Sequence, residues 1–110
     1  MFNPIEFIDL ARELLLPSDG EGRIRTAMGR AYYASFLIAR GAVGINEKTP
    51  DVHRRVVSAL YQRNPVIANK LHLLRRQRNF ADYDTRITLS IDDAKSAIML
   101  AEAVINEVRS

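Results

Sequence analysis

A chain of 110 residues with 47% hydrophobic and 26% charged side chains is enough for one globular domain with a single core, and neither disorder nor low complexity is indicated. It has no cysteine, which excludes disulfides, thiolate catalysis and cysteine-ligated zinc; its longest uncharged stretch in the first half, AYYASFLIA at residues 31–39, is far short of the roughly 20 residues a membrane span requires. The net charge of +3 is segregated, since Val52 to Ala81 hold seven bases and no acid, while seven acids meet six bases before them and six acids meet three bases after them.

The N-terminus, MFNPIEFIDL, carries two acids and a proline ahead of the first arginine, unlike a secretory signal, so a soluble cytoplasmic protein is expected. Asn3 as N-cap, Pro4 at the first helical position and Glu6 reaching back in a capping box predict a first helix over residues 4–16. SDGE repeats the scheme with Ser18 and Glu21 ahead of a second helix over 20–42. Its stripe of Ile24, Met28, Ala31, Ser35 and Ile38 is widened by Ala27, Ala34, Phe36 and Leu37 until little polar face remains, which makes this helix central. Ala27, Gly29, Ala31 and Ala34 let neighbours approach closely, an advantage set above the ~1 kcal/mol that a mid-helix glycine costs. Tyr32 and Tyr33 read as core or interface aromatics, and Gly41 and Gly44 stop the helix.

Thr49-Pro50 opens a third helix over 50–63, near whose start His53 is read as a surface or capping histidine. Asn64-Pro65 opens a fourth over 65–84. TRITL at 85–89 has strand-like residues but is short enough to be a connector, and Ser90 with Asp93 opens a fifth helix over 91–109. There Ile91, Ala94, Ile98, Ala101, Ile105 and Val108 form one packing face. The fold class is all-α, an antiparallel up-down bundle of about five helices in a single domain, residues 1–110.

The fourth helix carries the chemistry. Its apolar stripe of Ile67, Leu71 and Leu74 meets Arg78 at the next step, inside the segment RRQRNFADYD (residues 75–84). A guanidinium on an inward stripe needs an anionic partner or a wet cleft, and Asp82 lies one turn on. His72, Arg76, Asn79 and Tyr83 share an adjoining face. Two readings of the surrounding basic block stand side by side: a surface for RNA or a nucleotide, and charge that meets the acidic flanks within the fold or an oligomer.

FIDLARELL, RTAMGRAYYASFLIAR, HRRVVSALY and LHLLRRQRNFADYD, one in each of the first four helices, resemble the HEPN superfamily in its small stand-alone prokaryotic form, with RAYYASF and RNFADYD the most specific pieces. The resemblance implies a helical bundle that pairs as a homodimer, with the fourth helices of two protomers facing across a cleft. It implies no cofactor and no metal. Many members are metal-independent ribonucleases, often toxins paired with a minimal nucleotidyltransferase antitoxin or components of defence systems. Their sites use an arginine, a polar residue just after it and a histidine a little over one turn further on. By position, Arg78 matches the arginine and Asn79 the polar residue, while Tyr83 and Asp84, with Thr85 at the end of the window, stand where the histidine falls.

That substitution bears on the chemistry. Cleavage without metal needs a base for the 2′-hydroxyl and a cation for the phosphorane. Arg78 supplies the cation, but a tyrosine near pKa ~10 or an aspartate near ~3.9 is a poor replacement for an imidazole near ~6.5. The expected function is therefore a homodimer that binds RNA or a nucleotide through Arg75, Arg76 and Arg78, with Arg78, Asn79 and Tyr83 as the candidate catalytic set of a compromised ribonuclease, and Asp82 and Asp84 as a structural or dimer network. The alternative is a non-catalytic interaction module in which the basic block docks an acidic protein and RNFADYD locks a dimer.

Overall fold

The computed structural model describes residues 1–16 and 20–110, and the five helices found there lie where the cap-and-proline pattern places them: α1 (Ile5–Leu14), α2 (Glu21–Ala42), α3 (Val52–Arg63), α4 (Pro65–Tyr83) and α5 (Ile91–Arg109). No strand occurs among the described residues, and residues 85–89 form a turn and connector. None of the helices is long and apolar enough to cross a membrane.

Three of the expected caps form. The Asn64 carboxamide accepts from the backbone N–H of Val66 and Ile67 at 3.1 and 3.3 Å, and Pro65 follows at a position that has no N–H to satisfy. Ser90 and Asp93 make a reciprocal capping box. Asn3 accepts from the Ile5 N–H at 3.1 Å, although Glu6 does not complete a box with it. Ser18 lies outside the described residues, and the N-cap position of α2 is taken by Gly20 at φ +89°. At Thr49-Pro50 the structure departs from expectation. The Thr49 hydroxyl turns to the Asp51 carboxylate instead of capping, so α3 starts at Val52 with the Asp51 carbonyl accepting from the Arg55 N–H at 3.1 Å. At the end of α2, Gly41 stays helical. Gly44, at φ +74°, makes the stop: its N–H donates to the Gly41 carbonyl and that of Ile45 to the Arg40 carbonyl, each at 3.2 Å, a pairing that needs a left-handed residue between.

Helix α2 packs on α1, α4 and α5 and touches α3, which rests mainly on α4. Its small residues explain this position. Ala27, Ala31, Ala34 and Ala39 are fully buried, so side chains from three neighbours close against its backbone. Leu71 and Leu74 of α4, Val56 of α3 and Val104 of α5 fill the space between. The same central position sets Tyr32 and Gly29 of α2 against the C-terminal half of α4.

Candidate functional site

Arg78 occupies the inward stripe of α4, as its spacing requires. It is spared the cost of an unpaired charge by two contacts. Its guanidinium lies over the Tyr32 ring, 5.1 Å from the centroid, and its Nη1 donates to Asp82 Oδ2 at 3.2 Å. The side chain remains 24% exposed, enough to present a charged edge. Gly29 of α2 faces this pair, and a Cβ built there would lie 3.9 Å from both Arg78 Cγ and Asp82 Oδ1, an ordinary contact. The close approach therefore does not demand glycine. Gly29→Ala is expected to raise the unfolding free energy by roughly 0.5–1 kcal/mol through helix propensity, measured by urea denaturation; a loss of stability would show that the contact is tighter than its geometry.

Outside this pair, Arg75, Arg76, Arg78, Asn79 and Tyr83 line an open hollow of about 860 Å³, with Asp84 and Arg86 also in its wall. The residues singled out from the sequence thus converge, except that Asp82 serves the site only through its bond to Arg78. Asp84 accepts from the Arg86 backbone N–H at 2.9 Å and from its guanidinium at 3.2 and 3.3 Å. The Arg86 hydrogen bonds hold the Asp84 carboxyl below its usual range, making it a still weaker base. Among the described residues no group of three or more metal-ligating side chains is found.

Two functional features are not visible in the sequence pattern of the site. Arg25, near the start of α2, reaches across to the end of α4: Nη1 donates to the carbonyls of Phe80, Ala81 and Asp84 at 3.3, 3.0 and 2.8 Å, and Nη2 to that of Ile87 at 2.7 Å. Glu21 orients it from one turn earlier, accepting from Nε at 2.8 Å. The last carbonyls of a helix have no partners within it and carry partial negative charge, so a cation here both satisfies them and anchors the wall of the hollow.

The second is His53, which is neither a surface nor a capping residue. It is 5% exposed, its Nδ1 lies 2.8 Å from the Tyr32 hydroxyl, and its ring stacks on Phe36 at 5.9 Å and 23°. Burial, with Arg75, His72 and Arg78 nearby, pushes its pKa down to about 4. Tyr32 is pushed up to about 12 by burial, against the pull of Arg78 and Arg75. A signal was present: His53, Val56 and Leu60 stand at i, i+3 and i+7, the buried face of α3. His72 is exposed, with its ring 5.9 Å from that of His53. An imidazole thus lies within one aromatic ring of Arg78, supplied by a different helix.

A family model described as HEPN domain matches residues 5–110. Neither a search of curated proteins nor one of solved structures found a match.

Proposed function

The chain belongs to the HEPN domain family, and on that premise we propose that it acts as a homodimer binding RNA through the hollow at the end of α4. Arg78 and Asn79 are its central contacts, and Arg75 and Arg76 extend the cationic track. The setting is a toxin–antitoxin or defence system with a small nucleotidyltransferase as partner. The observation that carries the reading is the wall itself, where Arg75, Arg76, Arg78 and Arg86 stand against one carboxylate, Asp84, already engaged by Arg86. Such a surface favours phosphodiesters and binds them in a salt-dependent way. Cleavage through the α4 residues alone is weak in this reading, because Asp84 is held below its usual range and Tyr83 replaces the imidazole.

Support for the dimer comes from the outer face of α4. Val66, Leu73 and Phe80, seven residues apart, are 61%, 43% and 47% exposed, an apolar line that a second copy of the same helix would cover. The same line favours a second reading, in which the domain is a non-catalytic dimerisation module.

The two readings separate in one experiment. Binding of a fluorescent single-stranded RNA is followed by anisotropy at two salt concentrations, for the wild type and for Arg78→Ala, with circular dichroism to verify the fold. The first reading expects salt-sensitive binding that weakens about tenfold or more in the variant, the range for one charge-assisted contact. An unchanged affinity sinks it. No RNA affinity in the wild type, with a dimer that dissociates in sedimentation on Arg78→Ala, supports the module.

A further inference from the structure

We infer that the ring of Tyr33 is a stacking platform for one unpaired base of a single-stranded RNA, placed so that the phosphates on either side of that base reach Arg30 and Arg78. The inference deepens the RNA reading above and, in its RNA form, rests on it.

The two neighbouring tyrosines of α2 have separate fates. Tyr32 is 3% exposed and Tyr33 is 41% exposed, so only the second offers its ring to solvent. Phe7, Tyr32 and Phe36 meet that ring at 69°, 74° and 83°, with centroids 6.2, 6.2 and 6.4 Å away. These steep contacts fix the orientation of the ring, and none of the three lies parallel on it. A base needs such a surface, flat, already oriented and open, because stacking there costs little further ordering.

Charge flanks the ring. At about 100° per residue, Arg30 and Tyr32 stand on opposite sides of Tyr33 around α2. The Arg30 guanidinium lies 5.6 Å from the Tyr33 centroid and 5.0 Å from that of Phe7. On the other side the Tyr32 ring, 6.2 Å away, carries the Arg78 guanidinium at 5.1 Å. A guanidinium resting on a ring keeps N–H donors at its rim for phosphate oxygens. Tyr33 also borders a smaller hollow of about 140 Å³ between α2, α3 and α4, together with Arg75 and Arg78, and no carboxylate lines it. The same two arginines line the larger hollow, so the cationic track of α4 runs on to the Tyr33 ring. An acidic peptide matches the charge but brings no flat base to the ring. A nucleotide strand alternates phosphate and base, in the order that Arg78, Tyr33 and Arg30 present. Stacking uses the face that every base has, so the platform is tolerant of sequence.

The chain has no tryptophan, so Tyr33→Trp places a single fluorescent reporter in the platform. Its emission is followed as oligoadenylate RNA is added, with an abasic oligomer carrying the same number of phosphates as control, and adenosine monophosphate in a separate titration. The RNA is expected to quench the tryptophan and the abasic oligomer to leave it unchanged. In anisotropy, Tyr33→Ala is expected to weaken RNA binding about fivefold to a hundredfold, the range for one stacked base. The abasic oligomer is expected to bind that variant as before, and Tyr33→Phe to keep wild-type affinity. Should Tyr33→Ala not fold, the tryptophan quenching decides. Equal RNA affinities for the wild type and Tyr33→Ala, or an equal loss for both oligomers, overturn the inference and leave the RNA reading intact. So does a Tyr33→Ala protein that turns monomeric in sedimentation, which makes the ring a dimer contact. If the wild type binds no RNA, the RNA reading fails; quenching by adenosine monophosphate then upholds the platform for a free nucleotide, and its absence overturns it.

Discussion

Arg25→Ala is expected to lower the unfolding free energy by about 3 kcal/mol, the largest loss for any single side chain outside the apolar core, given ~1.5–3 kcal/mol for hydrogen bonds to charged groups and up to ~2 for a cation at a partly buried helix C-terminus. The ion pair with Glu21 is a minor part of this, because an i,i+4 pair near the surface contributes only ~0.3–0.5 kcal/mol. The four carbonyls dominate. Phe80 and Ala81 belong to the last turn of α4, Asp84 caps it and Ile87 lies in the connector to α5, so one guanidinium joins a helix end to the loop that follows. Lysine is expected to recover less than half of the loss, since one ammonium cannot span both groups of acceptors as the planar fork does. Urea denaturation measures the stability, and amide hydrogen exchange at residues 84–90 measures the local part. A change under ~0.5 kcal/mol, the range of ordinary surface substitutions, would show that water replaces the clasp without penalty. Because Asp84 and Arg86 belong to the wall of the larger hollow, RNA affinity is expected to fall along with local protection.

Acid is the second strong perturbant. His53 titrates near 6.5 when unfolded and is held at about 4 in the fold, by burial first and then by Arg75, His72 and Arg78. Its contribution is therefore complete above pH 6.5. As the pH falls from 6.5 towards 4, the unfolded chain takes up a proton that the fold refuses, and stability declines. Each tenfold difference in proton affinity between the two states is worth ~1.36 kcal/mol, so the loss is about 2 kcal/mol by pH 5 and about 3 kcal/mol at completion. Asp51 and Glu47 are also depressed, by a hydrogen bond from Thr49 and by backbone hydrogen bonding respectively, and Asp84 by Arg86; these carboxylates act only at lower pH. Denaturation midpoints at pH 7 and pH 5 measure the effect, and His53→Phe is expected to flatten the profile between them. A wild type equally stable at both values would mean that His53 takes its proton without leaving the core.

The helices are legible in the sequence because their signals are local. Asn64 with Pro65, and Ser90 with Asp93, specify helix starts within four residues, and the α2 stripe follows from spacing alone. Arg78 is legible for the same reason, as a charge standing on an apolar period. What is not legible depends on partners distant in sequence. Nothing near Arg25 indicates that its acceptors lie more than fifty residues on. Thr49 resembles the other cap-and-proline pairs and loses its role to a neighbouring carboxylate, Asp51, that its own hydroxyl reaches first. His53 stands near a helix start, where a histidine suits the surface, and only the period it shares with Val56 and Leu60 points inward. The imidazole absent from the α4 motif has no counterpart further along that helix, whereas the fold supplies one from another helix through Tyr32.

Asn64 is at once the last cap of α3 and the first cap of α4, in an extended conformation at φ −155° and ψ 95°. A joint of one residue has no slack. One residue inserted in α3 after His53 would turn that side chain by about 100° about the helix axis relative to Asn64, carrying it away from Arg75 and Arg78, so the coupling between imidazole and arginines is written into chain length as much as into side chains. The two helices thus meet α2 together, through the Tyr32–His53 hydrogen bond, the stack of His53 on Phe36 and the guanidinium of Arg78 over the Tyr32 ring.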